Sequence, residues 1–299
     1  MEIYLIGLAV ALVGGLLMSR LTRLLHLPAV TAYLVAGLLL GPFFLGRLNV
    51  PGLGFNTLEE VNVLSIVSQT ALGFIAFAMG NEFRLSQLRT IGSRAIIIGI
   101  LQAVITTIVV DVILLLLHLF FPHIISVPCA ITLGAIAAAT APAATLMVVR
   151  QYKADGPMTR LLMLVVALDD AVGLLLFSVS FGIATALSNG QVSVLAVVVE
   201  PIVEILLSVG LGGFMGLLLH WVERFFHSRS KRMSLSVAFV MLTVGLSMLE
   251  FQIGPVHCGF SLLLVCMMTG TIFCNVCPTS EELMERVDGW TMPLHILFF

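Results

Sequence analysis

Long apolar stretches separated by short polar breaks run the whole length of the chain. Near 2–19, 28–45, 58–81, 95–120, 126–149, 161–187, 193–221, 233–250 and 256–276 the side chains are almost continuously apolar, and a tenth stretch opens at Pro293. A bilayer span takes about 20 mostly apolar residues. The pattern therefore predicts a bundle of transmembrane helices. The first stretch begins Met1-Glu2 with no basic residue ahead of it, so it reads as a retained span and not a cleaved signal peptide. Phe299 falls roughly 10 Å of helix into the tenth segment. A helix end inside the bilayer leaves carbonyls unsatisfied, and on that ground the chain is expected to be a C-terminally incomplete transport domain.

Composition agrees: 60% hydrophobic residues, 10% charged and a mean hydropathy of +1.14 lie far outside the range of soluble domains. The net charge of -2 says little, whereas the placement of charge says much. Arg20 and Arg23, the group from Arg84 to Arg94, the group from Arg150 to Arg160, the group from Arg224 to Arg232, and Arg286 hold 13 of the 14 Lys and Arg, all in alternate loops. Only Arg47 lies in the other set of loops. The positive-inside rule then places the protein in the cell membrane with its N-terminus outside. The five cysteines lie mostly within spans and do not form a secreted disulfide framework. The expectation is a protein that is not an enzyme, with no cofactor and no nucleic-acid partner; membrane lipids are the expected surroundings.

Two segments echo each other. Leu27 to Pro42 (LPAVTAYLVAGLLLGP) and Gly254 to Asn275 (GPVHCGFSLLLVCMMTGTIFCN) both open beside a proline and cross the membrane in opposite directions. The stretches that follow, Ala71–Phe77 and Pro293–Phe299, also rhyme. Opposed copies are the mark of inverted repeats in secondary transporters. The reading is a first repeat over about 28–187, a linking helix over about 193–221, and the start of a second repeat over about 256–299.

The chemistry concentrates in segments five and six. Asp169 and Asp170 are the only charged residues between Leu161 and Leu187. Each intramembrane Asp costs about 2.5–3.5 kcal/mol on insertion scales, and a neighbouring like charge adds to that unless a proton or cation sits there. Successive helical positions point about 100° apart, so one carboxylate can line a cavity while the other meets a different partner. A polar pair holding helices together is the alternative. No Lys or Arg lies inside a predicted span, so a basic partner is expected beyond Phe299. In segment five, Pro142 lacks an N–H and pushes Ala141 towards extended backbone. The helix is expected to break around Thr140, Ala141 and Pro142, freeing carbonyls and the Thr140 hydroxyl to help hold a cation. A proline kink in a tightly packed helix is the plainer reading.

ALDDAVGLLLFS (Ala167 to Ser178), ATAPAATLMVV and LPAVTAYLVAGLLLGP, in that context, resemble the membrane domain of monovalent cation/proton antiporters, in the double-aspartate branch that includes sodium/proton antiporters and Kef-type systems. The resemblance implies an all-α inverted-repeat fold with a dimer domain and a mobile core (elevator) domain, and a homodimer. It implies that Asp170 binds the ion or proton, that Asp169 pairs with a lysine in a later helix, and that Thr140 is the polar position of a broken helix. Competition of H⁺ with Na⁺, or less favourably K⁺, at Asp170 would drive exchange and make it pH-dependent. A regulated potassium efflux system and a sodium-coupled symporter of a related fold are the neighbouring readings, and a non-transporting fragment or sensor is a further one.

Other residues weigh less. Asp111 suits a second polar site, helix packing or snorkelling, Glu200 and Glu204 a cation entrance or, more simply, an outer interface, and Glu82 a cap. Cys274 and Cys277 have a spacing that suits metal or thiol redox chemistry, as in a membrane oxidoreductase. Without a second pair or a histidine cluster in sequence, they read as a chance pair. His118, His123, His220, His257 and His295 show no ligand spacing.

Overall fold

The computed structural model describes the backbone of residues 2–24, 27–48, 54–80, 83–189, 199–249, 251–253 and 256–299. Within its helices and strands, the side chains of 2–3, 23, 86–92, 170–171, 178, 185–186, 188–189, 201, 252–253, 256–258 and 288 lie outside the description. The helices are α1 (Glu2–Leu24), α2 (Ala29–Leu40), α3 (Leu58–Val63), α4 (Ser65–Gly80), α5 (Leu85–Phe120), α6 (Val127–Ala137), α7 (Pro142–Gln151), α8 (Pro157–Asn189), α9 (Glu200–Glu223), α10 (Arg229–Ser247), α11 (Leu262–Val276) and α12 (Ser280–Phe298). A short antiparallel hairpin, β1 (Phe251–Ile253) with β2 (Val256–Cys258), precedes α11.

Six segments, among the described residues, are long and apolar enough to cross a bilayer, counting α2 with the 3-10 turn Leu45–Leu48 that follows it, and α6 with α7, as one each; α4 and α11 are shorter apolar helices. The chain is a multi-pass membrane protein. Three expected boundaries move. Segment three is two helices, parted at Leu64. Segment nine starts as the hairpin and becomes helical only at Leu262, where the Ser261 side chain accepts from the Leu264 N–H. The tenth segment does not open at Pro293: α12 starts at Ser280, and Pro293 sits inside it. Acidic Glu281 and Glu282 in its first turn hid that start from a search for apolar runs, although they suit a helix N-terminus.

Besides α1 and α2, which pack on each other and meet α12 and α7, the helices pack in two groups joined by α4. In one, α5, α6 and α8 contact one another; in the other, α11 packs on α9 and α4, with α10 and α12 alongside. Every residue of Phe74–Phe77 is buried, as expected of a helix apolar all round. Phe74 and Phe77 enter a core with Leu219, Val240 and Phe273. Ile75 and Met79 face the other way, onto Leu146 of α7 and Met163 and Val166 of α8. The helix α4 thus supports both groups, and its partner across the bundle is α12, the segment with which its sequence rhymes.

Candidate functional site

The fifth segment is broken where the proline requires. Helix α6 ends at Ala137, Ala138 closes it with an N–H to the Ala135 carbonyl at 3.2 Å, and α7 begins at Pro142. Between them Ala141 is extended (φ -98°, ψ 92°) and gives α7 no side-chain cap. Pro142 has no N–H to offer the carbonyl four residues back. The Thr145 hydroxyl instead returns to the Ala141 carbonyl at 3.1 Å. An uncapped helix start also carries partial positive charge, which favours an anion nearby.

The carboxyl group beside the break is that of Asp169. Helix α8 holds it near mid-span at 2% exposure, beside Thr140 of the break and Gln102 of α5. With its amide nitrogen turned inward, Gln102 donates to the two carboxylate oxygens at 3.2 and 3.1 Å. The opposite orientation would set oxygen against oxygen. The Thr140 hydroxyl lies next to the carboxylate, yet is buried with no hydrogen bond of ordinary geometry among the described residues. A buried hydroxyl in that state is ready to give an oxygen to something else. Asp170 follows in α8, and its side chain lies outside the described residues.

Small residues bring these groups together. Ala95, Gly99, Ala103 and Thr107 recur every four positions along α5 and are all buried, forming one face. A Cβ at Gly99 would lie 3.7 Å from the Leu168 Cβ, so α5 and α8 run close at the level of the aspartates. One turn beyond Asp169, Gly173 is buried, yet a Cβ there would meet no described atom within 4 Å. The site therefore has a fixed carboxylate, a hydroxyl beside it, a helix break and, among the described residues, open space one turn away. Its hard oxygen donors suit a proton or an alkali cation.

Asp169, expected to meet a basic side chain, meets a neutral amide and the Thr140 hydroxyl. Sequence alone did not single out Gln102; a lone amide in an apolar helix was the available signal. Asp111 does not snorkel: its carboxylate packs onto Gly134 of α6, with Oδ1 buried and unpartnered among the described residues. Glu204 is half-buried in α9. Glu82 lies outside the described residues, as does the side chain of His257. His118 Nδ1 meets the Ile125 carbonyl at 2.6 Å.

Cys274 and Cys277 do not act as a pair. Cys274 Sγ bonds the Thr271 carbonyl at 3.2 Å, while Cys277 Sγ, beyond the end of α11, donates to Glu223 Oε2 at 2.8 Å. Burial first, then Glu223, raises the Cys277 pKa, which is opposite to what an attacking thiolate needs. A thiol oxidoreductase has no support here.

A family model described as "Sodium/hydrogen exchanger, transmembrane" matches residues 8–299. The chain is 31% identical over 94 residues to K(+) efflux antiporter 5 of Arabidopsis thaliana, covering 31% of this chain and 14% of that protein. The fold matches the sodium proton antiporter MjNhaP1 of Methanocaldococcus jannaschii with a TM-score of 0.72 at 19% identity, over 97% of this chain and 67% of that one. A structure of the same antiporter at pH 8 gives 0.58 at 20% identity, over 97% and 66%.

Proposed function

The chain belongs to the sodium/hydrogen exchanger family, and from that premise we propose that it exchanges a monovalent cation for protons at the Asp169–Asp170 pair. The carrying observation is the buried Asp169 carboxylate beside the Thr140–Pro142 break, with open space one turn away. Asp170 is the group that holds H⁺ or the cation in turn. Asp169, fixed by Gln102, keeps negative charge beside it, and Thr140 adds a neutral oxygen. Binding either ion expels the other, and alternating access converts that competition into exchange.

Na⁺ is proposed ahead of K⁺, because the family model that spans residues 8–299 is described as a sodium/hydrogen exchanger, whereas the K(+) efflux relative matches 94 residues. The cell membrane and an outside N-terminus are proposed from the basic loops, with α9 as the linking helix and α5, α6 and α8 as the moving part of a homodimer. In proteoliposomes carrying a pH gradient, addition of Na⁺ should dissipate the gradient faster than K⁺ or Li⁺, and Asp170→Asn should abolish the effect. If no cation dissipates the gradient, or if Asp170→Asn matches wild type, the reading is wrong.

A further inference from the structure

We propose that His220, Glu223 and Cys277 form a binding site for a zinc-class divalent transition metal, at the end of α9 remote from the transport aspartates. His220 and Glu223 are three apart on α9 and share one face. Cys277 is the first residue after α11. Their exposures are 8%, 3% and 5%. One ring nitrogen, one carboxylate oxygen and the thiol sulfur all lie within 4.8 Å of one another.

The hydrogen bonds divide the donors into those already held and those left to bind. Glu223 Oε1 accepts from the Thr279 hydroxyl at 2.9 Å and sits 3.4 Å from Arg232 Nε. Glu223 Oε2 has Cys277 Sγ against it at 2.8 Å. The Thr279 and Arg232 groups thus anchor the carboxylate from behind, the role that outer partners play around bound metals. His220 Nε2 meets the Arg224 guanidinium at 2.8 Å, and its buried Nδ1 has no partner among the described residues. A guanidinium only donates, so Nε2 accepts there and Nδ1 carries the ring proton without an acceptor among the described residues; binding through Nδ1 moves that proton to Nε2 and releases the Arg224 hydrogen bond.

Sulfur, imidazole and a single carboxylate make a soft to borderline donor set. It selects zinc over magnesium or calcium, which need more oxygens. On binding, the Cys277 S–H proton leaves to solvent as the metal–sulfur bond forms. Thiolate and carboxylate then supply two negative charges to the dication, with the Arg232 and Arg224 guanidiniums on the outer side of Glu223 and His220. Three protein ligands leave a fourth position for water. Leu219, Phe273 and Leu283 pack in the same core as Cys277, so a bound ion would tie the end of α9 to the corner between α11 and α12.

The test adds Co²⁺, then Zn²⁺, to the purified full chain in detergent. One equivalent of Co²⁺ should give a thiolate-to-metal charge-transfer band that Zn²⁺ removes and that Cys277→Ser lacks. Thr279→Val, which deletes the donor to Oε1 together with the hydroxyl's contacts to Cys277 Sγ and Arg232, should weaken Zn²⁺ by about tenfold or more. Absence of the band in wild type, or its persistence in Cys277→Ser, overturns the site. Should Cys277→Ser not fold, His220→Gln leaves the thiol–carboxylate bond in place, and unchanged Zn²⁺ affinity there overturns it equally.

Discussion

The α4–α11–α9 seam and the α5–α6–α8 group both rely on residues with little or no side chain, and use them to opposite ends. Along the seam, a Cβ on Gly270 would run into the Phe77 carbonyl, and one on Gly216 would lie 2.7 Å from the Thr269 carbonyl. Backbone rests on backbone, and the Thr269 hydroxyl bonds across to the Gly212 carbonyl at 3.2 Å. In the other group the stripe on α5 brings α8 close, but Gly173 stands free beside a buried carboxylate. Missing side chains make a clamp in one place and room for a small ligand in the other.

The sharpest way to break this comparison is to add carbon to the seam. Gly270→Val has no flexible side-chain neighbour to displace, since the obstruction is backbone. Overpacking of that kind should cost about 3 kcal/mol, and thermal unfolding in detergent should show it. An unshifted midpoint would mean that the seam is loose and that the contrast fails.

A substitution at the site should act on function as well as on stability, because it leaves a buried carboxylate short of a donor. Gln102→Leu removes the donor to both Asp169 oxygens. A hydrogen bond to a charged group is worth about 1.5–3 kcal/mol. If ionised Asp169 supports the cation-loaded state, half-saturating cation should rise by about tenfold or more in the proteoliposome assay. Unchanged half-saturation would remove Gln102 from the site and leave Asp169 without a positioning partner.

These two positions also show how far sequence reading reached. The spans, the break at Thr140–Pro142 and the aspartate pair were legible because each breaks a local rule: continuous apolarity, a proline in mid-helix, paired charge in hydrocarbon. The sodium/hydrogen exchanger family was legible from the same residues. Helix α12 was misplaced because its acidic first turn is not apolar. Gln102 with Asp169, and His220 with Cys277, are 67 and 57 residues apart. Periodicity orients each helix but does not say which neighbour it faces. That information lies in close approaches such as Gly99 to Leu168, which only packing reveals.

The smallest effect tests the open side of the comparison. Glycine within a helix costs about 0.5–1 kcal/mol relative to alanine, through the freedom it has to lose. At Gly270 that gain is cancelled, because even one methyl group meets the Phe77 carbonyl. At Gly173 nothing described lies within 4 Å of the new carbon. Gly173→Ala should therefore stabilise the protein by about 0.5–1 kcal/mol while exchange continues, and Gly270→Ala should destabilise it. The pair of alanine variants differs by one methyl group each, so opposite shifts in unfolding midpoint isolate the space around the two glycines. A destabilised Gly173→Ala would mean that the room beside Asp169 is already filled.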